Sequence, residues 1–419
     1  MKEHKIKQAY LQAKERYADM GVDTDAAIKN ADSIPISMNC WQGDDVLGFD
    51  GSDSLSGGIA TTGNYPGRAR DFVELTQDIE QAISLIPGPL KLNLHASYAI
   101  KSDPDRDRDT YTVEDFRPWL EWAKEKGIGL DFNATFFSHP MAEGNFSLAS
   151  RDDTVRRFWI EHGKRCREIG VEFARELAQP CVINYWMPDG YKDITVDTGS
   201  LRQLMAQSLD EIFDDELDDE LIPCAIESKL FGIGAESYTV ASHEFSYGYA
   251  ISRNKLYCLD AGHFHPTEVI SSKLSASLQF LDKVLLHISR PVRWDSDHVV
   301  LYDDELQSTM DEIVFNNYEN RIYIGTDTFD ASINRVAAWV IGLRNARKAL
   351  LNSYLAPVNE LQEAEANGDF TKRLALLEER KHMPINAVWD YYCLEKSARV
   401  GTDWINAAKK YEDTVLSLR

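Results

Sequence analysis

The sequence predicts an α/β chain folded as a closed barrel of eight parallel strands ringed by helices, the (β/α)8 TIM-barrel class, with additional helices at both ends. Three observations predict it. Eight short apolar runs alternate with segments of helical periodicity along most of the 419 residues. No glycine-rich phosphate turn follows the first run, so the alternative, an open doubly wound sheet, lacks its usual ligand signal. Carboxylates and imidazoles gather at the ends of successive runs in the second half, where barrel enzymes build their sites.

The elements follow in order. The segment to Asp32 reads as two helices. The first run, Ile34–Trp41 (IPISMNCW), leads into a Gly-, Ser- and Thr-rich loop, Gly48–Gly67, at the C-terminal mouth. The next helix, Asp71–Ile86, places apolar residues at about every third or fourth position. Then come Leu92–Tyr98 with helix Val113–Lys126, Ile128–Phe132 with helix Asp153–Leu177, and Cys181–Trp186 with helix Leu201–Leu217. The fifth run, Ile222–Leu230, is joined to the sixth, Leu256–Asp260, by a stretch without clear helical character. Helix Thr267–Phe280, run Val284–Ser289, helix Asp304–Tyr318, run Ile322–Asp327 and helix Ala331–Leu355 complete the count. Runs this apolar suit strands buried on both faces of a parallel sheet. Residues 1–356 are thus expected to form the barrel domain with its N-terminal helices. Residues 357–419, charged and helical, are expected to pack on the barrel or on a neighbouring subunit.

Composition narrows the function. With 43% hydrophobic residues the chain can bury a large core, and a net charge of −23 repels nucleic acid and anionic membranes. A neutral small molecule is the expected partner, with no nucleic acid and no membrane. No apolar run is long enough to span a bilayer, and the polar, lysine-rich start does not read as a secretory signal. Six scattered cysteines without a Cys-x-x-Cys pair fit buried free thiols in a reducing compartment, so a cytoplasmic location is expected.

The ends of the last four runs carry the chemistry. They present Glu227 and Lys229; Asp260, His263 and His265; His287, followed by Asp295 and Asp297; and Asp327. Glu227 and Lys229 are two apart and point the same way, and Asp295 and Asp297 are spaced to clasp one cation. Taken singly, each acid is more often a helix cap or a solvated rim residue. His287 alone is more often a hydrogen-bonded core histidine, and His265, before Pro266, can simply shape a turn. Taken together, carboxylates in a water-poor mouth repel one another unless a cation neutralises them. Carboxylates with one or two imidazoles favour Mn²⁺, Mg²⁺ or Co²⁺ over a thiolate-loving metal, and seven candidate ligands point to two ions sharing a carboxylate. Mn²⁺ is the expected ion, with Co²⁺, Mg²⁺ or Zn²⁺ as alternatives. Other strand ends add Trp41, Gln42, Asp44, Asp45, His95, Asp131, Asn133 and Trp186. Indoles beside polar groups suit a sugar, although Trp186 reads equally well as barrel packing.

Several long motifs resemble the bacterial L-rhamnose isomerase family: SMNCWQGDDV (37–46), GGIATTGNYPG (57–67), LNLHA (92–96), PDGYKDITVDT (188–198), ESKLFGIGAESYTV (227–240), LDAGHFHPTEVI (259–270), LLHISRPVRWDSDHVV (285–300) and FDASINRVAAWVIG (329–342). The resemblance covers nearly the whole chain. It implies a (β/α)8 barrel, a homotetramer and interconversion of L-rhamnose and L-rhamnulose. It also implies a structural metal position at Glu227, Asp260, His287 and Asp327, and a catalytic one at His263, Asp295 and Asp297. Sugar contacts fall on His95, Trp186 and Lys229, with Val46, Leu55 and Ile59 facing the C6 methyl. Asp295, His263, Lys229 and Asp327 are the expected catalytic residues, serving a hydride shift between C1 and C2 while the ions polarise O1 and O2. The family often carries histidine where this chain has Asn39, outside the metal positions. A barrel metal-dependent hydrolase would need a His-x-His pair on the first strand, where this chain reads Met38-Asn39-Cys40. A carbohydrate-binding protein without turnover would have no reason to keep both acidic sets.

Overall fold

The apolar runs become eight parallel strands: Ile36–Asn39, Leu90–His95, Gly129–Asn133, Ile183–Trp186, Cys224–Glu227, Leu256–Asp260, Val284–Ile288 and Ile322–Thr326. Each strand pairs with its neighbours in chain order, and the first pairs with the eighth, Ile36 opposite Ile324, so the sheet closes into a barrel. The computed structural model describes residues 2–51, 55–56, 59, 61, 63–215, 217–290 and 298–419.

Six of the strands are shorter than the apolar runs; the third has its run's length shifted by one residue, and the sixth coincides with its run. Ala96–Tyr98 leaves the second strand as a single 3-10 turn. The fifth strand stops at Glu227, and the Lys229 amide donates instead to the Ala241 carbonyl outside the barrel. The unassigned stretch after it contains Tyr238–Thr239, which pairs antiparallel with Gly190–Tyr191 from the loop after the fourth strand, and a helix, His243–Arg253. That helix (HEFSYGYAISR) carries a glycine and several aromatic and serine residues of low helix propensity. It forms because Ser246, Tyr249 and Ala250 bury one face against the barrel.

Outer helices begin at side-chain caps. Asp71, Asp152, Asp197, Asp303 and Asn334 each accept a hydrogen bond from an amide in the first helical turn, a contact that stabilises by about 1 kcal/mol. The two ends of the chain meet on helix Arg335–Tyr354. There, Tyr10 and Tyr17 of the N-terminal helices share an apolar cluster with Leu351, Leu355, Trp389 and Tyr392. The Tyr10 and Tyr391 rings stack at 3.9 Å. All six cysteines are buried and none is in a disulfide.

A buried clamp fixes the loop that follows the first strand. Arg335 pairs with Asp45 at 2.6 Å and donates to the carbonyls of Pro66, at 3.0 Å, and Tyr65. Tyr65 and Asn334 both donate to Glu412 on the C-terminal helix Asp403–Thr414, at 2.9 and 2.8 Å. Asp45 and Val46 have φ of +60° and +69°. A β-branched residue in the left-handed region is strained, and such conformations persist where surrounding contacts over-determine them. The C-terminal helices thus hold the mouth of the barrel in shape.

Candidate metal centre

Strand parity builds the site. Asp260 and His287 stand opposite each other on the sixth and seventh strands, and Trp186 stands opposite Glu227 on the fourth and fifth. Glu227, Asp260, His287 and Asp327 all turn inward, and one ligand atom from each lies within 4.8 Å of the others. All four are buried. His287 Nδ1 is 3.4 Å from Asp260 Oδ2, 3.5 Å from Asp327 Oδ2 and 3.7 Å from Glu227 Oε1.

The second oxygens of two of these carboxylates are held by neighbours. Asn184 donates to Glu227 Oε2, and Asp260 Oδ1 accepts from the Gly262 amide at 2.6 Å and the Ser289 hydroxyl at 3.0 Å. Glu227 Oε1, Asp260 Oδ2, Asp327 Oδ1 and His287 Nδ1 have no hydrogen-bond partner among the described residues. Buried polar atoms are rarely left so, and three carboxylates facing one imidazole leave excess negative charge in low dielectric. Three hard oxygen donors and one nitrogen, oriented by a second layer, fit a divalent cation.

The protonation pattern has the same origin. Burial opposes charge on His287, but Cys258, Asp260 and Asp327 around it raise its pKa well above the usual imidazole range. Burial pushes the Asp327 carboxyl up to about 7, helped by repulsion from Glu227 and Asp260 and opposed by His287. For Asp260, burial is outweighed by His263, His287 and the Gly262 amide, and its pKa is lowered. Without a cation, the folded cluster therefore holds protons that the unfolded chain releases. Asp327 holds its proton between the ordinary carboxylate range and about pH 7, and His287 holds one above the ordinary histidine value. Stability of the chelated protein falls as pH rises through that window. His95 and His162, each pushed down to about 3 by burial, give the opposite slope only below the ordinary histidine value. We predict that chelated protein loses thermal stability between about pH 6.5 and about pH 8.5, whereas cation-loaded protein does not. Melting curves of both forms at the two pH values check this; parallel profiles would contradict it.

The other expected site residues fall around this cluster. His263 is buried with Nδ1 3.3 Å from Glu227 Oε1. Its carbonyl accepts from His243 Nε2 at 3.1 Å, while His243 Nδ1 accepts from Tyr257 at 2.6 Å. His243, not anticipated from the sequence, thus positions the turn carrying His263. His265 is exposed and bonds Thr267 at 2.7 Å, shaping a turn. Asp295 and Asp297 lie outside the described residues.

An aromatic wall adjoins the cluster. Trp41 stacks on His95 at 4.4 Å and meets Phe329 edge-on at 5.8 Å. Phe137 meets His95 at 6.2 Å and Trp186 at 5.5 Å. Lys229 Nζ lies 4.9 Å from the Trp186 ring centroid and donates to the Pro188 carbonyl at 3.1 Å. The Thr135 hydroxyl donates to the Asn133 carbonyl at 3.4 Å, so His95 Nδ1 donates to Thr135 at 3.2 Å. Burial keeps this imidazole neutral, which leaves Nε2 a lone-pair acceptor. His95 Nε2 and the indole nitrogens of Trp41 and Trp186 are buried without a partner among the described residues. An apolar face studded with such polar atoms matches a polyhydroxylated ligand. Val46 is buried in the main core, and Leu55 and Ile59 are half-buried against it. The Ser56 amide donates to the Ser138 hydroxyl at 3.1 Å and the Ser138 amide to the Ser56 hydroxyl at 2.6 Å, pinning the loop beside the wall.

Sequence reasoning missed Phe137, Phe329, Asn184 and Ser289. Inward parity with Trp186 would have found Asn184. The two phenylalanines lie beyond strand ends, where no periodicity marks them.

Residues 4–419 match the family model described as L-rhamnose isomerase (RhaA). The chain belongs to the L-rhamnose isomerase family. L-rhamnose isomerases of Citrobacter koseri and Escherichia coli are each 54% identical to this family member over 415 residues, 99% of this chain and 99% of theirs. Among solved structures, an L-ribulose 3-epimerase has 11% identity and a TM-score of 0.45, covering 80% of this chain and 97% of that one. The barrel assignment rests on the closed eight-strand sheet itself. Among the described residues, no helix is long and apolar enough to cross a membrane.

Proposed function

We propose that this member of the L-rhamnose isomerase family is an aldose–ketose isomerase interconverting L-rhamnose and L-rhamnulose in rhamnose breakdown. The observation that carries the chemistry is the buried set Glu227, Asp260, His287 and Asp327 beside the aromatic wall, each with a ligand atom lacking a hydrogen-bond partner among the described residues. Bound divalent ions supply Lewis-acid polarisation of the two reacting sugar oxygens. Mn²⁺ suits the donor set, with Co²⁺, Mg²⁺ or Zn²⁺ as alternatives. In this reading Asp295, Asp297 and His263 would hold the second ion.

The protein's own groups do the rest. Trp41 and Trp186 offer apolar surface to the carbon chain, and His95 Nε2 accepts a hydroxyl proton. The Lys229 ammonium faces negative charge developing on a sugar oxygen. Asp295 and its neighbours would orient a water that moves the hydroxyl protons, and the wall keeps other water from C1 and C2. Hydrogen then passes between those carbons as hydride without exchanging with solvent. Val46, Leu55 and Ile59 face the C6 methyl and set the preference for a 6-deoxy sugar. The cytoplasm, a homotetramer, and a barrel domain of residues 1–356 with a helical extension 357–419 complete the proposal.

Turnover of L-rhamnose in D₂O, beside a panel of aldoses differing at C5 and C6, tests it. The expected product carries almost no deuterium at C1 or C2, and L-rhamnose is the best substrate. Rapid deuterium incorporation would replace the hydride route by a proton-abstracting enediol route. Absence of turnover with every aldose would overturn the isomerase reading.

A further inference from the structure

A buried cation that is no part of the metal centre holds the segments that shape the aromatic wall. Arg108 lies in the loop after the second strand, and its side chain is fully buried. Its Nε donates to Oδ2 of Asp50, in the loop after the first strand, at 2.7 Å. Its Nη1 donates to the carbonyls of Thr135, at 2.8 Å, and Phe137, at 2.7 Å, and its Nη2 to that of Ser138, at 3.2 Å, all in the loop after the third strand. One guanidinium thus joins the first three loops of the mouth. Taking a cation out of water costs free energy that only such a full set of charge-assisted partners offsets. Each segment it holds serves the sugar face. Thr135 accepts from His95 Nδ1, Phe137 meets both His95 and Trp186, and Ser138 exchanges hydrogen bonds with Ser56, the neighbour of Leu55. Ser138 has φ of +53°, a left-handed conformation that persists where neighbours over-determine it.

We propose that Arg108, through its pair with Asp50, is a positioning residue that sets how selectively the site takes a 6-deoxy sugar. The proposal rests on the reading of His95, Leu55 and Ile59 as sugar contacts. The loop that carries Leu55 and Ile59 is tied at Asp50 to Arg108 and at Ser56 to Ser138, whose carbonyl Arg108 also holds. Leu55 and Ile59 therefore keep their place against the wall only while the guanidinium bridges the two loops. An apolar pocket disfavours an added hydroxyl by up to about 100-fold, and only when it closes on the methyl group. None of these hydrogen-bond partners is a metal ligand. Loosening the link thus weakens sugar binding equally before and during reaction, which raises KM and leaves kcat.

The test compares the full-length, Mn²⁺-loaded protein with its Arg108→Lys and Asp50→Asn variants, using L-rhamnose and L-mannose, which differ only by a hydroxyl on C6. Lysine keeps the charge but cannot span the carboxylate and the three carbonyls. Asparagine keeps the shape of Asp50 and removes only the ion pair, so it reads the same link where the lysine variant fails to fold. The expected KM for L-rhamnose rises about tenfold while kcat stays within about threefold. The ratio of kcat/KM for L-rhamnose to that for L-mannose falls about tenfold, and Mn²⁺ affinity is unchanged. A role in stability alone lowers the melting temperature and leaves KM and the sugar ratio as in wild type. That result overturns the proposal while the isomerase reading stands. A wild-type chain that turns over neither sugar overturns the isomerase reading and the role of Arg108 with it.

Discussion

Glu227→Ala is expected to lower divalent-metal affinity and isomerase activity by well over 100-fold. Changes to second-layer partners of a metal site cost about 10–100-fold in affinity or activity, and Glu227 is placed as a direct ligand. Its Oε1 is buried without a hydrogen-bond partner among the described residues, and Oε2 is already held by Asn184. Removing it takes away one negative charge and one donor while leaving Asp260, His287 and Asp327 in place. The chelated variant should be no less stable than chelated wild type, because a charge repelling Asp327 has gone. Asn184→Leu, which alters only the orienting layer, should fall within the 10–100-fold range. Metal-binding isotherms and initial rates on the two variants check the ordering. Equal effects would remove Glu227 from the ligand set.

Lys229→Met is expected to reduce kcat by about 10²–10³-fold, the cost typical of losing one preorganised donor to a developing oxyanion. Lys229 is buried, carried on the Trp186 ring and held by the Pro188 carbonyl, so its ammonium is positioned before substrate arrives. Methionine keeps most of the stem's packing and removes the charge. Metal uptake should be unchanged, and KM should move far less than kcat, because the interaction strengthens as charge appears on oxygen. Lys229→Arg should not restore the rate, since a planar guanidinium cannot occupy the place of a compact ammonium. A loss confined to KM would make Lys229 a binding residue only.

The barrel was legible in the sequence because strands buried on both faces are nearly all apolar and the intervening helices keep a 3.6-residue period. The ends of the elements were not. Ala96–Tyr98 and Ser228–Leu230 are as apolar or as tightly buried as strand residues, yet the chain turns there to meet partners distant in sequence. Helix His243–Arg253 escaped notice because packing rather than propensity holds it. Glu227, Asp260, His287 and Asp327 were legible because four successive strands end in ligand-type residues, a pattern that no single cap or rim residue explains. Their separation from His263, Asp295 and Asp297 came from resemblance to the family and not from spacing. The aromatic wall was half legible: Trp41, His95 and Trp186 lie at strand ends, whereas Phe137 and Phe329 arrive from loops. His243 and Ser289 act through side-chain hydrogen bonds that only the folded chain brings together.

The central claim is that a divalent cation held by buried Glu227, Asp260, His287 and Asp327 supports isomerisation of L-rhamnose. Its most direct test is the initial rate of L-rhamnulose formation by chelated protein, verified free of metal, as Mn²⁺ is added back in known amounts. The expected rate is negligible without metal and rises in proportion to the fraction of protein carrying the ion. Full activity in the verified metal-free protein would contradict it.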